Sequence, residues 1–199
     1  ILRPKQVGLD SIQECVPDDK LFVDTLHRAV KRVMEGENGE DATAPNTKVI
    51  NLSVGDPVRQ LSTIMSPIAR LIDYLAYKYK ILFIISAGNH EEILNYVNQS
   101  FADFKALNIS SRNTVFGQVI KENQRNLKVL APAESLNGLT IGALYDDFTN
   151  PEESDRLIWA VEKGMPSPIS AYGKGYRSII TPTCFIMAAE NLYEEDSME

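Results

Sequence analysis

Short apolar runs alternate with amphipathic stretches along the chain, and the two periodicities predict different elements. Asp18-Asp19 ahead of Lys20 supplies a helix start, after which Phe22, Leu26, Ala29, Val30 and Val33 recur at helical spacing. Gly36-Glu37-Asn38-Gly39-Glu40-Asp41 ends that helix in a flexible, solvated acidic loop. Lys48-Val49-Ile50-Asn51-Leu52-Ser53 reads as a buried strand, closed by the turn Gly55-Asp56-Pro57. Ser66 before Pro67 is an N-cap with proline in the first helical position, and Ile68, Leu71, Ile72 and Leu75 form the stripe of a helix reaching Tyr79.

Ile81-Leu82-Phe83-Ile84-Ile85 is apolar on both faces, as a central parallel strand is. Residues 91–128 are polar-rich with mixed periodicity and predict a helical insertion of one or two helices. Leu139-Thr140-Ile141-Gly142-Ala143-Leu144 predicts a third strand, Ser178-Ile179-Ile180 a fourth, and 193–199 a solvated tail. Helices alternating with apolar strands give an α/β fold: a three-layer, doubly wound, mainly parallel sheet with helices on both faces. The runs at 48–53, 81–86 and 139–144 are expected to be parallel neighbours, since each is joined to the next by a helical crossover.

Composition narrows the function classes. At 199 residues and 22.2 kDa, the chain fits one domain or a large piece of one, and 44% hydrophobic with 24% charged residues is a globular balance. A net charge of −7 and a pI near 5.0 argue against nucleic acid as a partner. No apolar run approaches the roughly 20 residues of a membrane span. Cys15 and Cys184 make no disulfide framework and read as buried free thiols. The opening Ile-Leu-Arg-Pro has neither methionine nor signal peptide, as an excised piece of a longer chain would. The few cysteines and unstapled loops lean slightly towards the cytoplasm.

In a parallel α/β sheet, sites gather beyond the carboxyl ends of the strands. Two such ends carry small residues that let a ligand backbone approach: Asn51-Leu52-Ser53-Val54-Gly55 and Ser86-Ala87-Gly88-Asn89-His90. Taken alone, Asn89 is an ordinary turn residue that tolerates left-handed backbone. The order of motifs says more. Val-Ile-Asn-Leu-Ser-Val-Gly, a long helix, Ile-Leu-Phe-Ile-Ile-Ser-Ala-Gly-Asn, then Leu-Thr-Ile-Gly-Ala resembles the centre of the subtilases, the subtilisin-like serine proteases. Ser170-Ala171-Tyr172-Gly173 resembles that family's Phe-Ser-Ser-Xaa-Gly segment, and Ala131-Pro132 its apolar-Pro step, often a cis peptide.

The resemblance implies that Asn89 is the side-chain donor of an oxyanion hole. It implies that Ser53, Val54 and Gly55 pair with substrate backbone, and that Ser86, Ala87 and Gly88 wall the pocket for the residue before the cut. Peptide or protein substrates follow, with the remainder of its own peptidase domain as a partner, no membrane, and no metal or organic cofactor. Walls this small are expected to admit a large apolar or aromatic side chain, and a bulky replacement of Gly88 to fill that space.

The departures are as informative. The family's triad runs Asp, His, Ser along the chain. Its Asp-Thr/Ser-Gly and His-Gly-Thr motifs should precede Val49 and its Gly-Thr-Ser-Xaa-Ala motif should follow the last residue; none is present. The chain therefore reads as an internal, incomplete piece of a subtilase domain, inactive alone. His27 reads as an ordinary helix histidine, and His90 as a surface or supporting residue rather than a general base, since no Ser-His-Asp set surrounds it. The histidines and cysteines lack metal-ligand spacing, and Gly173-Lys174-Gly175 reads as a turn, not a phosphate loop. The rival reading is a degenerate subtilase, or an α/β binding module without proteolytic activity.

Overall fold

The computed structural model describes residues 5–6, 14–15, 19–60, 64–90, 100–146, 157–159, 162–167, 169–189 and 192–194. Lys5–Gln6 (β1) and Glu14–Cys15 (β2) form a two-residue antiparallel ladder. In α1 (Phe22–Met34) the predicted stripe turns inward: Leu26 and Val30 are buried, with Phe22, Val23 and Met34 packed partly against the core. The acidic stretch after it differs from the flexible loop expected, because it folds back on the helix. Positive φ at Gly36, Asn38 and Gly39 closes a Glu37–Glu40 bridge, and the two glutamates reach Arg28 at 2.9 Å and Arg32 at 3.3 Å. Both arginines are exposed, so each pair stabilises by well under about 1 kcal/mol.

β3 (Val49–Leu52) and β4 (Asp56–Gln60) lead to α2 (Pro67–Tyr79). α2 begins as its sequence predicts, with Ser66 Oγ accepting from Ala69 N at 3.2 Å and Pro67 in the first position. It ends at Lys80 in the left-handed conformation. Its apolar stripe (Ile68, Ala69, Ile72, Leu75, Ala76) is buried. β5 (Leu82–Ser86) follows, then α3 (Phe101–Ala106) and α4 (Ile109–Asn123). Ser100 Oγ and Asn108 Oδ1 cap α3 and α4 by accepting from Asp103 N and Ser111 N. Of the stretch read as a helical insertion, 91–99 lie outside the described residues.

The chain continues through β6 (Leu130–Ala131), β7 (Gly138–Tyr145), β8 (Leu157–Trp159), β9 (Gly173–Lys174), β10 (Ile180–Thr181), β11 (Cys184–Ala189) and β12 (Leu192–Glu194). The central sheet has the order β11-β7-β5-β3, and every pairing is parallel. The three strands predicted as neighbours are neighbours, in register Leu52↔Ile85 and Ile85↔Thr140. The fourth differs. Tyr176–Ser178 form a single 3₁₀ turn with positive φ at Arg177 and Ser178, and Ile180–Thr181 pair antiparallel with Gly173–Lys174. The fourth parallel strand is β11, which begins two residues beyond Pro182. Of the expected tail, Tyr193 and Glu194 lie in β12, paired with β8, and 195–199 lie outside the described residues.

Side-chain alternation assigns the faces. Phe83, Ile85 and Leu52 are buried on the face that also packs Ile72 and Leu75 of α2 and Leu26 and Val30 of α1. Each fully buried side chain of this size stabilises by roughly 1.5–3 kcal/mol. The opposite face carries Val49, Leu82 and Ile186 at 50%, 40% and 56% exposure. Cys184 lies on that face and is exposed, not buried as its composition suggested. Among the described residues, no helix is long and apolar enough to cross a membrane.

Candidate active site

The register Leu52↔Ile85 brings the carboxyl ends of β3 and β5 side by side, so Ser53-Val54-Gly55 runs beside Ser86-Ala87-Gly88. The two segments meet at their glycines: a Cβ placed on Gly55 would lie 3.2 Å from Gly88 Cα. Ser53, Val54 and Gly55 are exposed, and Asn51 Nδ2 donates to Ser53 Oγ at 3.3 Å. Ser86 is half-buried, while Ala87 and Gly88 are buried.

Beyond β5 the backbone is held on three sides. Ala87 N donates to Ile141 O at 2.8 Å, Leu130 N to Ala87 O at 3.1 Å, and Ala171 N to Gly88 O at 2.9 Å. Gly88 N donates to Ser86 Oγ at 3.2 Å. Asn89 forms an antiparallel bridge with Ser170, and His90 N donates to Ile169 O at 2.8 Å. The backbone of Asn89 is thus fixed on either side while the residue remains exposed beyond the end of β5. Ser170 is buried, and its Oγ accepts from Ala143 N at 3.1 Å, tying the Asn89 turn to β7. Ser170 belongs to a motif visible in the sequence, but this supporting contact spans 27 residues and leaves no local pattern.

Gly88 has φ +102° and a direction for Cβ that points at another side chain. A Cβ there would lie 2.6 Å from Cγ of Leu130, whose Cδ1 also lies 3.4 Å from the Cβ position of Gly55. Leu130 is 1% exposed and therefore fills the space behind both glycines. A bulky replacement of Gly88 would therefore collide with Leu130. Leu130 was not singled out in the sequence, because an apolar residue before Ala131-Pro132 looks like any core position. The Ala131–Pro132 peptide bond is cis.

His90 is buried, not on the surface, and its Nε2 donates to Lys128 O at 2.8 Å. That bond commits the nitrogen to holding the 128–130 segment against the Asn89 turn. His27 lies half-buried in α1, far along the chain from these strand ends. Gly173 and Lys174 form a short ladder with β10 rather than a turn. Among the described residues, no group of three or more His, Cys, Asp or Glu is arranged to hold a metal ion.

Two aligned strand ends, an exposed asparagine on a fixed turn and an exposed backbone segment beside it can hold an extended peptide and offer a donor to an oxygen that gains charge. The subtilase family model matches residues 23–197. No match was found among curated proteins or among solved structures. With the parallel sheet, the ordered strand-end motifs and a family match over most of its length, the chain belongs to the subtilase family and is by family a serine hydrolase.

Proposed function

We propose that this chain is the central part of a serine endopeptidase domain whose Asp, His and Ser triad lies on residues outside it, with Asn89 as the side-chain donor of the oxyanion hole. The observation that carries this reading is the placement of Asn89: exposed, on a turn held by Ser170 and Ile169, beside the exposed segment Ser53-Val54-Gly55. In the reaction, the triad serine attacks the peptide carbonyl, the histidine takes its proton, and the aspartate orients the histidine. Asn89 donates to the oxygen that becomes an oxyanion, so its contact strengthens as charge develops. Ser53-Val54-Gly55 offers backbone groups to an extended substrate by strand addition. Ala87 and Gly88 stand behind the residue before the cut.

A second observation supports a partner segment. Parallel sheets occur almost only with both faces covered, yet Val49, Leu82 and Ile186 stand open on one face. The remainder of the peptidase domain, carrying the triad, is the cover this reading assigns to it. The test is covalent labelling with a fluorophosphonate, which reacts with activated serines. The chain alone should neither label nor hydrolyse peptides, and the domain completed by its remaining residues should label on one serine outside this chain. Labelling of a serine within this chain, or none in the completed domain, would overturn the proposal.

A further inference from the structure

We infer that Asp73, in the middle of α2, is a positioning residue that sets where Leu130 stands against Gly88 and Gly55. Its Oδ1 accepts three hydrogen bonds from one loop: Ser135 Oγ at 2.6 Å, Leu136 N at 2.8 Å and Asn137 N at 2.7 Å. Asn137 Nδ2 returns a fourth bond to Asp73 O at 3.1 Å. Leu136 and Asn137 are exposed, so their N–H groups could be served by water, and both turn to the carboxylate instead. Bonds to an ionised acceptor are about twice as strong as neutral ones, which suits a single side chain to gathering a whole loop.

The loop leads directly to Leu130 and, through it, to the end of β5. Ser135 N donates to Pro132 O at 3.1 Å, Ala133 N to Leu130 O at 2.8 Å, and Leu130 N to Ala87 O at 3.1 Å. Thr140 Oγ1, on β7, donates to Ala133 O at 2.7 Å, and Glu134 Oε1 accepts from Ser66 N, at the start of α2, at 2.9 Å. Residues 130–137 are thus bonded to the Asn89 turn at one end, to α2 at the other, and to β7 and the α2 N-terminus between. Asp73 holds the far end of this bonded segment, and a shift there is passed along it towards Leu130, which has little room behind Gly88. The link from Asp73 to Leu130 stands on these hydrogen bonds and on the fit of Leu130 behind Gly88; its consequence for substrate rests on the peptidase reading above.

Hydrogen exchange on the full chain tests the packing relation. Asp73→Ala should speed exchange at Leu136 and Asn137, and also at Leu130 and Ala133, by about tenfold or more. Amides inside α2 and β5 should keep their protection. Asp73→Asn retains an acceptor oxygen and should restore most of the protection at Leu130. Acceleration confined to Leu136 and Asn137, or a uniform acceleration over the whole chain, would overturn the inference. Should Asp73→Ala not fold, Ser135→Ala removes one donor and should still speed Leu130 by a smaller factor; an unchanged rate there overturns it equally. In the completed peptidase, Asp73→Ala should raise KM for substrates with a bulky apolar residue before the cut more than it lowers kcat. An unchanged KM would overturn the substrate consequence, whereas failure of the peptidase reading itself would show as no activity in the unaltered protein.

Discussion

Gly88 and Leu130 are fitted to each other: a Cβ on the glycine would lie 2.6 Å from Cγ of the leucine, closer than real Cβ contacts come. The same glycine holds φ at +102°, a region other residues enter at a cost. Gly88→Ala should therefore destabilise the chain by roughly 1–3 kcal/mol, the usual range for overpacking, with Gly88→Val worse. Urea unfolding followed by circular dichroism reads this as a lower midpoint at unchanged slope. An unchanged midpoint for Gly88→Val would mean that Leu130 is free to move away.

The converse change opens the space. Leu130→Ala removes a buried side chain and should cost about 2–5 kcal/mol, depending on how far the neighbours collapse. If the cavity persists, the completed peptidase should accept bulkier residues before the cut. Cleavage-site profiling checks this, and a preference identical to the unaltered enzyme's would show that the space behind Gly88 does not govern the pocket.

Acid should loosen the junction of α1 and α2. Lys78 Nζ lies 2.7 Å from Glu35 Oε1, and the hydrogen bond from Lys78 is the main reason the Glu35 carboxyl titrates below its ordinary value of 4.5. The same pairing raises the Lys78 ammonium above its ordinary value, so it stays charged across this window. A carboxyl lowered in the folded state contributes stability that is present above its unfolded pKa and lost as pH falls through the folded one. The difference in Tm between the chain and Glu35→Gln should thus be constant near neutrality and shrink below about pH 4.5. Both groups are solvent-exposed, so salt should reduce the effect as well. A difference independent of pH would show that the pair does not act through charge.

What could be read in advance follows from the range of the interactions. β3, β5 and β7 were legible because each is a short apolar run, and α2 because Ser66-Pro67 announces its start within two residues. The fourth strand is not legible because Ser178-Ile179-Ile180 and Cys184-Phe185-Ile186 are similarly apolar, and what separates them is the positive φ at Arg177 and Ser178 and the antiparallel pairing of Ile180–Thr181 with Gly173–Lys174. The return of the acidic loop to Arg28 and Arg32 was hidden because the ion pairs join positions eight and nine residues apart, outside helical spacing. At the strand ends, Asn89 and the segment Ser53-Val54-Gly55 stand out by motif. Leu130 and Asp73 did not, since their roles come from packing and from bonds across 62 to 64 residues.

The placement of Asn89 is tested most directly by the turnover of Asn89→Leu in the completed peptidase. Leucine has similar bulk and no donor, so only the contact to the developing oxyanion is lost. The account predicts a fall in kcat of about 10²–10³, a magnitude known from a subtilisin oxyanion donor rather than derived from this chain, with KM little changed because the bond strengthens only in the transition state. A kcat equal to that of the unaltered enzyme would reduce Asn89 to a turn residue and contradict the account.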